Sequence, residues 1–281
     1  MNKIGAFLLL AYALTLSPLF AQDLISVEDL AKGLQNTSLV IISAGTEAEY
    51  AKVHISGAIS LPYNSFDKAG TPEGILVDDA EMAKIFGAKG VTEKTPIVVY
   101  DEFDGRYASR MYMLLKYLGA KDVKMLDGGM EAWKKGRKPV TRNPSTISKT
   151  TFTAAPVKKY MATAQEVSSP KANTVLVDSR SPGEFKGAEN NSKGHLPGAI
   201  NIEYKELLDA NGMLKVKAEL EKVYASKGIS KDKEIILYCS SGVRTGLHFL
   251  ALNAILQYPN VKIYDGGYNE WIYLNPGKIA K

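Results

Sequence analysis

The chain repeats itself, and this restricts its folding more than any other feature. Tyr100-Asp101 matches Tyr238-Cys239, and Asp127-Gly128-Gly129-Met130-Glu131-Ala132-Trp133 matches Asp265-Gly266-Gly267-Tyr268-Asn269-Glu270-Trp271. Both matches have an offset of 138 residues (239 − 101 and 265 − 127), so no gap separates them, and Arg106 falls opposite Arg244. Upstream, Glu49-Tyr50 matches Glu184-Phe185 at an offset of 135. His54-Ile55-Ser56-Gly57-Ala58-Ile59 matches His195-Leu196-Pro197-Gly198-Ala199-Ile200 at 141, so the second copy carries six extra residues (141 − 135) around Gly187 to Asn191. Ordered self-similarity over this length makes each copy a structural unit, and 281 residues suffice for two ordinary domains.

Each copy alternates short β-branched runs with longer helical patterns. In the second copy, Thr174 to Asp178, Ala199 to Ile202, Glu234 to Tyr238 and Val261 to Tyr264 read as strands. Helical stretches fall near Ala162 to Val167, Leu214 to Lys227, Arg244 to Leu256 and Tyr268 to Tyr273. The alternation implies an α/β fold with a mostly parallel sheet and helices on both faces in each domain. Residues 22–140 form the first domain and 160–281 the second. Residues 141–159, rich in Thr, Ser, Lys and Pro, read as the linker.

The N-terminus stands apart. Lys3 precedes an apolar run from Ile4 to Leu16, and Ser17 to Ala21 leads to a plausible cut after Ala21. Residues 1–21 read as a secretory signal peptide, too short in its apolar core for a membrane span. The expectation is an exported protein, periplasmic or secreted, with no stable membrane insertion after cleavage. With 45% hydrophobic and 23% charged residues the chain is globular in composition. Its formal charge of +5 includes the cluster Lys134-Lys135-Gly136-Arg137-Lys138, which suits a helix end. No aromatic-interleaved basic stripe argues for nucleic acid. The histidines His54, His195 and His248 lack zinc-ligand spacing, and no phosphate-binding or dinucleotide glycine loop occurs, so neither metal nor cofactor is expected. Oligomeric state is not legible.

Chemistry concentrates at Cys239-Ser240-Ser241-Gly242-Val243-Arg244. A buried strand, a tight loop and a helix start follow one another here, and backbone N–H groups converge without partners at such a place. Cys239, the single cysteine, opens the loop at the carboxyl end of a strand, where parallel sheets bind ligands. A cradle of this kind favours an anion, which turns an inert thiol into a nucleophilic thiolate. One cysteine cannot pair within its own chain. It is either an inert small hydrophobe or it is there for chemistry.

Val177-Asp178-Ser179-Arg180, Glu184-Phe185-Lys186-Gly187, Gly194 to Ala199, Tyr238-Cys239 with its loop, and Asp265-Gly266-Gly267 with Trp271 occur in an order that resembles the tandem-domain rhodaneses, the thiosulfate and 3-mercaptopyruvate sulfurtransferases. The resemblance covers nearly all of the chain after residue 21. It implies two rhodanese-like domains and a Cys239 thiolate that takes sulfur from a small anionic donor as a persulfide and yields it to a thiophilic acceptor, cyanide or a thiol. It further implies that Ser240, Ser241, Gly242 and Val243 stabilise the persulfide, that Arg180 and Arg244 bind the donor, and that Asp178 supports the loop. In the first copy Asp101 stands for Cys239 and Gly45 for Arg180, so that copy should be inactive. Because His54 occupies the place of His195, a shared structural role is expected for both.

Two other readings compete with the sulfurtransferase. Rhodanese-like phosphatases and arsenate reductases use a loop one residue longer, and the four residues between Cys239 and Arg244 favour attack on sulfur instead. A non-catalytic binding module fits the first copy better than the second. Ser240-Ser241-Gly242-Val243 is similar to the mercaptopyruvate enzymes, which carry Thr at the position of Arg244. Arg244 and the expected export favour thiosulfate, and polysulfide is a third candidate donor.

Overall fold

The computed structural model describes residues 23–281 except Phe103; the signal-peptide reading of residues 1–21 lies outside the described residues. Two parallel sheets carry the molecule. The first orders its strands Leu24–Ile25, Val123–Leu126, Ile97–Tyr100, Val40–Ser43, Ile59–Ser60. The second orders them Val261–Ile263, Glu234–Tyr238, Thr174–Asp178, Ile200–Asn201. Two of the strands expected from sequence, Thr174–Asp178 and Glu234–Tyr238, have the expected bounds. Burial on both faces explains why they are apolar runs and not alternating ones.

The duplication persists in atomic detail. On the outer face of each sheet a tyrosine and a tryptophan share a small core, Tyr100 with Trp133 and Tyr238 with Trp271. Tyr100 Oη accepts from the Ile55 N–H and Tyr238 Oη from the Leu196 N–H, both at 3.2 Å. His54 stacks on Tyr50 at 3.7 Å and His195 on Phe185 at 3.6 Å, each with Nδ1 on the backbone carbonyl of that ring's residue. Both histidines therefore serve the structural role expected of them.

Between the sheets one apolar core runs through both domains, from Val40 and Met111 to Leu247 and Ile263. Its centre is the contact of the Arg106–Tyr117 helix with the helix that follows the Cys239 loop, Thr245–Phe249, which continues as the π-helix Leu250–Ile255. Gly246 makes the contact possible, since a Cβ there would lie 2.4 Å from the Ser109 carbonyl carbon. The stretch 141–159 is not a free tether. Its Phe152 is buried, and the Thr150 and Ala155 N–H groups donate to the Gly87 and Leu118 carbonyls of the first domain.

His248, on the helix after the loop, is fully buried between Tyr224 and the Ile202 carbonyl. A carbonyl only accepts, so Nε2 carries the proton and Nδ1 accepts from Tyr224 Oη at 2.9 Å. Burial pushes the ring down to about 4 from 6.5, outweighing its bond to the Ile202 carbonyl. The folded state thus binds fewer protons than the unfolded state across this window. Its stability is whole above pH 6.5 and falls as pH drops towards 4, by about 3 kcal/mol from this group. Denaturant titrations of the wild type and His248→Gln at pH 7.5 and 4.5 check this: the variant should lose most of that pH dependence.

Among the described residues no helix is long and apolar enough to cross a membrane, and no group of three His, Cys, Asp or Glu residues could hold a metal.

Candidate active site

The Glu234–Tyr238 strand delivers Cys239 to the carboxyl edge of the second sheet, where the residue is 1% exposed. Beyond it none of the backbone N–H groups from Ser240 to Gly246 donates to a backbone carbonyl of the described residues. The carbonyls, by contrast, are taken: the Tyr268 N–H donates to Cys239 O at 2.7 Å and the Asn269 N–H to Ser240 O at 3.1 Å. Gly242 turns the chain with φ +72°, in the left-handed region that favours glycine.

The first domain reveals what such a loop binds. There the Asp101 carboxylate accepts from the N–H groups of Gly105 (3.1 Å), Tyr107 (2.9 Å) and Ala108 (3.0 Å). At the offset of 138 these donors correspond to Val243, Thr245 and Gly246, and Asp101 to Cys239. The cradle is an anion site occupied in the first copy by the protein's own carboxylate. In the second it faces a thiol.

Arg244 closes the loop. Its guanidinium forks onto Glu184 at 2.6 and 3.0 Å and donates to Ser240 Oγ at 2.8 Å. Burial alone would raise the Glu184 carboxyl, but Arg244 outweighs it and holds the acid at about 2. Burial also pulls the Arg244 guanidinium down, and Glu184 together with the Cys239 thiol more than reverses this. Arg244, Val243 and Ser241 line a cleft of about 490 Å³ between the domains, with Arg106 and the stacked pair Tyr63–Tyr107 on the first-domain side. Five acidic residues line it, Asp67, Glu73, Glu184, Glu189 and Glu203, against three basic ones, Arg106, Lys205 and Arg244. The Glu73–Gly74 turn of the first domain packs on Ser241, and Glu73 O accepts from Asn269 Nδ2 at 3.3 Å.

Arg180 does not meet the expectation that it binds the donor. It is 1% exposed, and its guanidinium is spent inside its own domain. Nε and Nη2 bind Asp178 at 2.7–3.1 Å, Nη1 donates to Ser192 Oγ at 3.1 Å, and Nη2 also reaches Gly194 O at 2.9 Å. The ring of Tyr268 covers it at 4.1 Å. Arg180 is a buried tie between the strand end and the residue 192–194 turn, and Asp178 is its counter-ion. Asp178 thereby supports the segment beside the loop, with its carboxylate bonded to Arg180.

Sequence reasoning missed Glu184 as the partner of Arg244, and it missed Arg110 and Asp265. Glu184 was visible as the acidic residue of a Ser181-Pro182-Gly183-Glu184 capping box. The signal for Arg110 was a charge placed directly before the apolar run Met111 to Leu115.

A pair of α/β domains, one presenting a thiol and the other a carboxylate in the same anion cradle, is the class that fold and site define. The model of the rhodanese-like domain matches residues 26–136 and 163–273, and the chain belongs to the rhodanese family as a tandem of two such domains. A Mycolicibacterium smegmatis protein named "Putative thiosulfate sulfurtransferase" is 31% identical over 246 residues, 84% of this chain and 88% of that one. The Thermus thermophilus "Sulfur carrier protein TtuD" is 30% identical over 222 residues, 73% of this chain and 78% of that one. Among solved structures, the 3-mercaptopyruvate sulfurtransferase SseA of Escherichia coli is similar, with a TM-score of 0.79 and 27% identity over 88% of this chain and 99% of that one.

Proposed function

We propose that the protein is a sulfurtransferase that moves the outer sulfur of thiosulfate to a thiophilic acceptor through a persulfide on Cys239. The Cys239 thiolate attacks the outer sulfur, the S–S bond of thiosulfate breaks, and sulfite leaves with the electron pair. Cyanide or a thiolate then attacks the outer sulfur of the persulfide, giving thiocyanate or a new persulfide and restoring the thiolate. Both resting and charged forms are anions, which the same N–H groups stabilise. The observation that carries the reading is the Asp101 carboxylate held by three N–H groups in the sister loop. The loop from Ser240, Ser241 and Gly242 to Val243 leads into the corresponding cradle, whose N–H groups are those of Val243, Thr245 and Gly246, and Arg244, on the cleft wall, meets the sulfonate of the donor. No cofactor is required, because the thiol supplies the covalent chemistry. Export past a cleaved signal peptide belongs to the same reading.

A second donor, 3-mercaptopyruvate, is favoured by the Ser-Ser-Gly-Val loop and by the likeness to SseA. Turnover with the two donors, measured for the wild type and Arg244→Ala, separates them. Thiosulfate should give the higher kcat/KM, and the variant should lose about 100-fold of it through the missing charge-assisted bonds. A preference for 3-mercaptopyruvate, or a variant as active as the wild type, contradicts the assignment.

A further inference from the structure

We propose that Arg110, carried by the cysteine-free domain, is a positioning residue of the transfer site, holding the Cys239 loop across the domain interface and supplying buried positive charge to it. The proposal rests on the reading of Cys239 as the sulfur carrier.

Arg110 lies within the Arg106–Tyr117 helix and is wholly buried. Its Nη1 donates to the Asp265 carboxylate and, at 3.4 Å, to the Gly242 carbonyl. These contacts tie the two segments that frame the thiol: Gly242 belongs to the loop, and Asp265 opens the turn whose Tyr268 N–H binds Cys239 O. The missing side chain of Gly242 makes room for the pair, since a Cβ there would lie 2.5 Å from Asp265 Oδ1 and 2.6 Å from Arg110 Nη1. One guanidinium from the first domain therefore fixes both walls of a site in the second.

Nor is Arg110 saturated by these bonds. Its Nε and Nη2 are buried without a hydrogen-bond partner among the described residues. Buried donors on a charged group are costly to leave unpaired, so the charge is not there for the first domain's own stability. The groups that hold it ionised are Asp265, Asp67 and Cys239, which together outweigh the effect of burial. The repeat sharpens the point. At the offset of 138 the second copy places His248 where the first has Arg110, and His248 is neutral and internally bonded. One copy holds the cation and the other the thiol, so the inactive domain completes the site.

The test uses the full chain with Arg110→Met and Arg110→Lys, reading the rate of persulfide formation against thiosulfate concentration and, separately, the pH profile of Cys239 alkylation by iodoacetamide. Arg110→Met should form persulfide about 100-fold more slowly while half-saturation moves less than about threefold, and its alkylation profile should move to higher pH. Arg110→Lys keeps the charge without the fork, so its alkylation profile should stay in place while its rate falls about tenfold. A folded Arg110→Met with the wild-type rate or an unmoved profile overturns the proposal. Should that variant fail to fold, Arg110→Lys at the full wild-type rate overturns it. A wild type that takes no sulfur from thiosulfate would instead defeat the underlying reading, and the alkylation profiles, which need no donor, would still decide the role of Arg110.

Discussion

Cys239→Ser should reduce sulfur transfer to the uncatalysed background while leaving the fold in place. The substitution is nearly isosteric, and the hydroxyl enters a cradle whose N–H groups have no competing carbonyl among the described residues. Hence the expected cost in stability is small, on the order of 1 kcal/mol. Chemistry is another matter. A serine hydroxyl at neutral pH carries almost no alkoxide and makes no persulfide, and no second thiol exists in the chain to replace it. Thiocyanate formation and the thermal unfolding midpoint, taken on the same sample, check both halves. Appreciable turnover in the variant contradicts the mechanism.

Arg180→Ala should produce the largest loss of stability, with little effect on donor use by the folded fraction. The guanidinium is 1% exposed and its Asp178 partner fully buried. Removing it strands a carboxylate in the interior and also unbinds Ser192 and Gly194. Breaking a buried pair from one side costs about 3–5 kcal/mol, which lowers the unfolding midpoint by roughly 10 °C in a chain of this size. Half-saturation by thiosulfate should stay near the wild-type value at a temperature where the variant is folded. An unchanged midpoint with a raised KM would return Arg180 to the donor site.

That reversal illustrates what the sequence does and does not carry. Thr174–Asp178 and Glu234–Tyr238 were legible because burial on both faces writes an uninterrupted apolar run. Cys239 was legible because a strand–loop–helix junction is a local event. The place of Asp101 opposite Cys239 was legible from the repeat, but the three N–H bonds that hold its carboxylate were not. Arg180 was misread because its direction is set by Ser192 and Gly194, which follow the six residues that only the second copy contains. Arg110 stayed hidden for a related reason. Its contacts with Gly242 and Asp265 cross 132 and 155 residues of sequence, and hydrophobic periodicity records which face of a helix is buried, not which domain covers it. The pairing of Glu184 with Arg244, 60 residues apart, is of the same non-local kind.

In the proposed function Cys239 carries sulfur covalently. Intact mass of the purified protein after brief exposure to thiosulfate tests it most directly, followed by cyanide on the same sample. The prediction is a gain of one sulfur atom, mapped to the peptide containing Cys239 and removed by cyanide. An unchanged mass in protein whose Cys239 is free and reduced would contradict it.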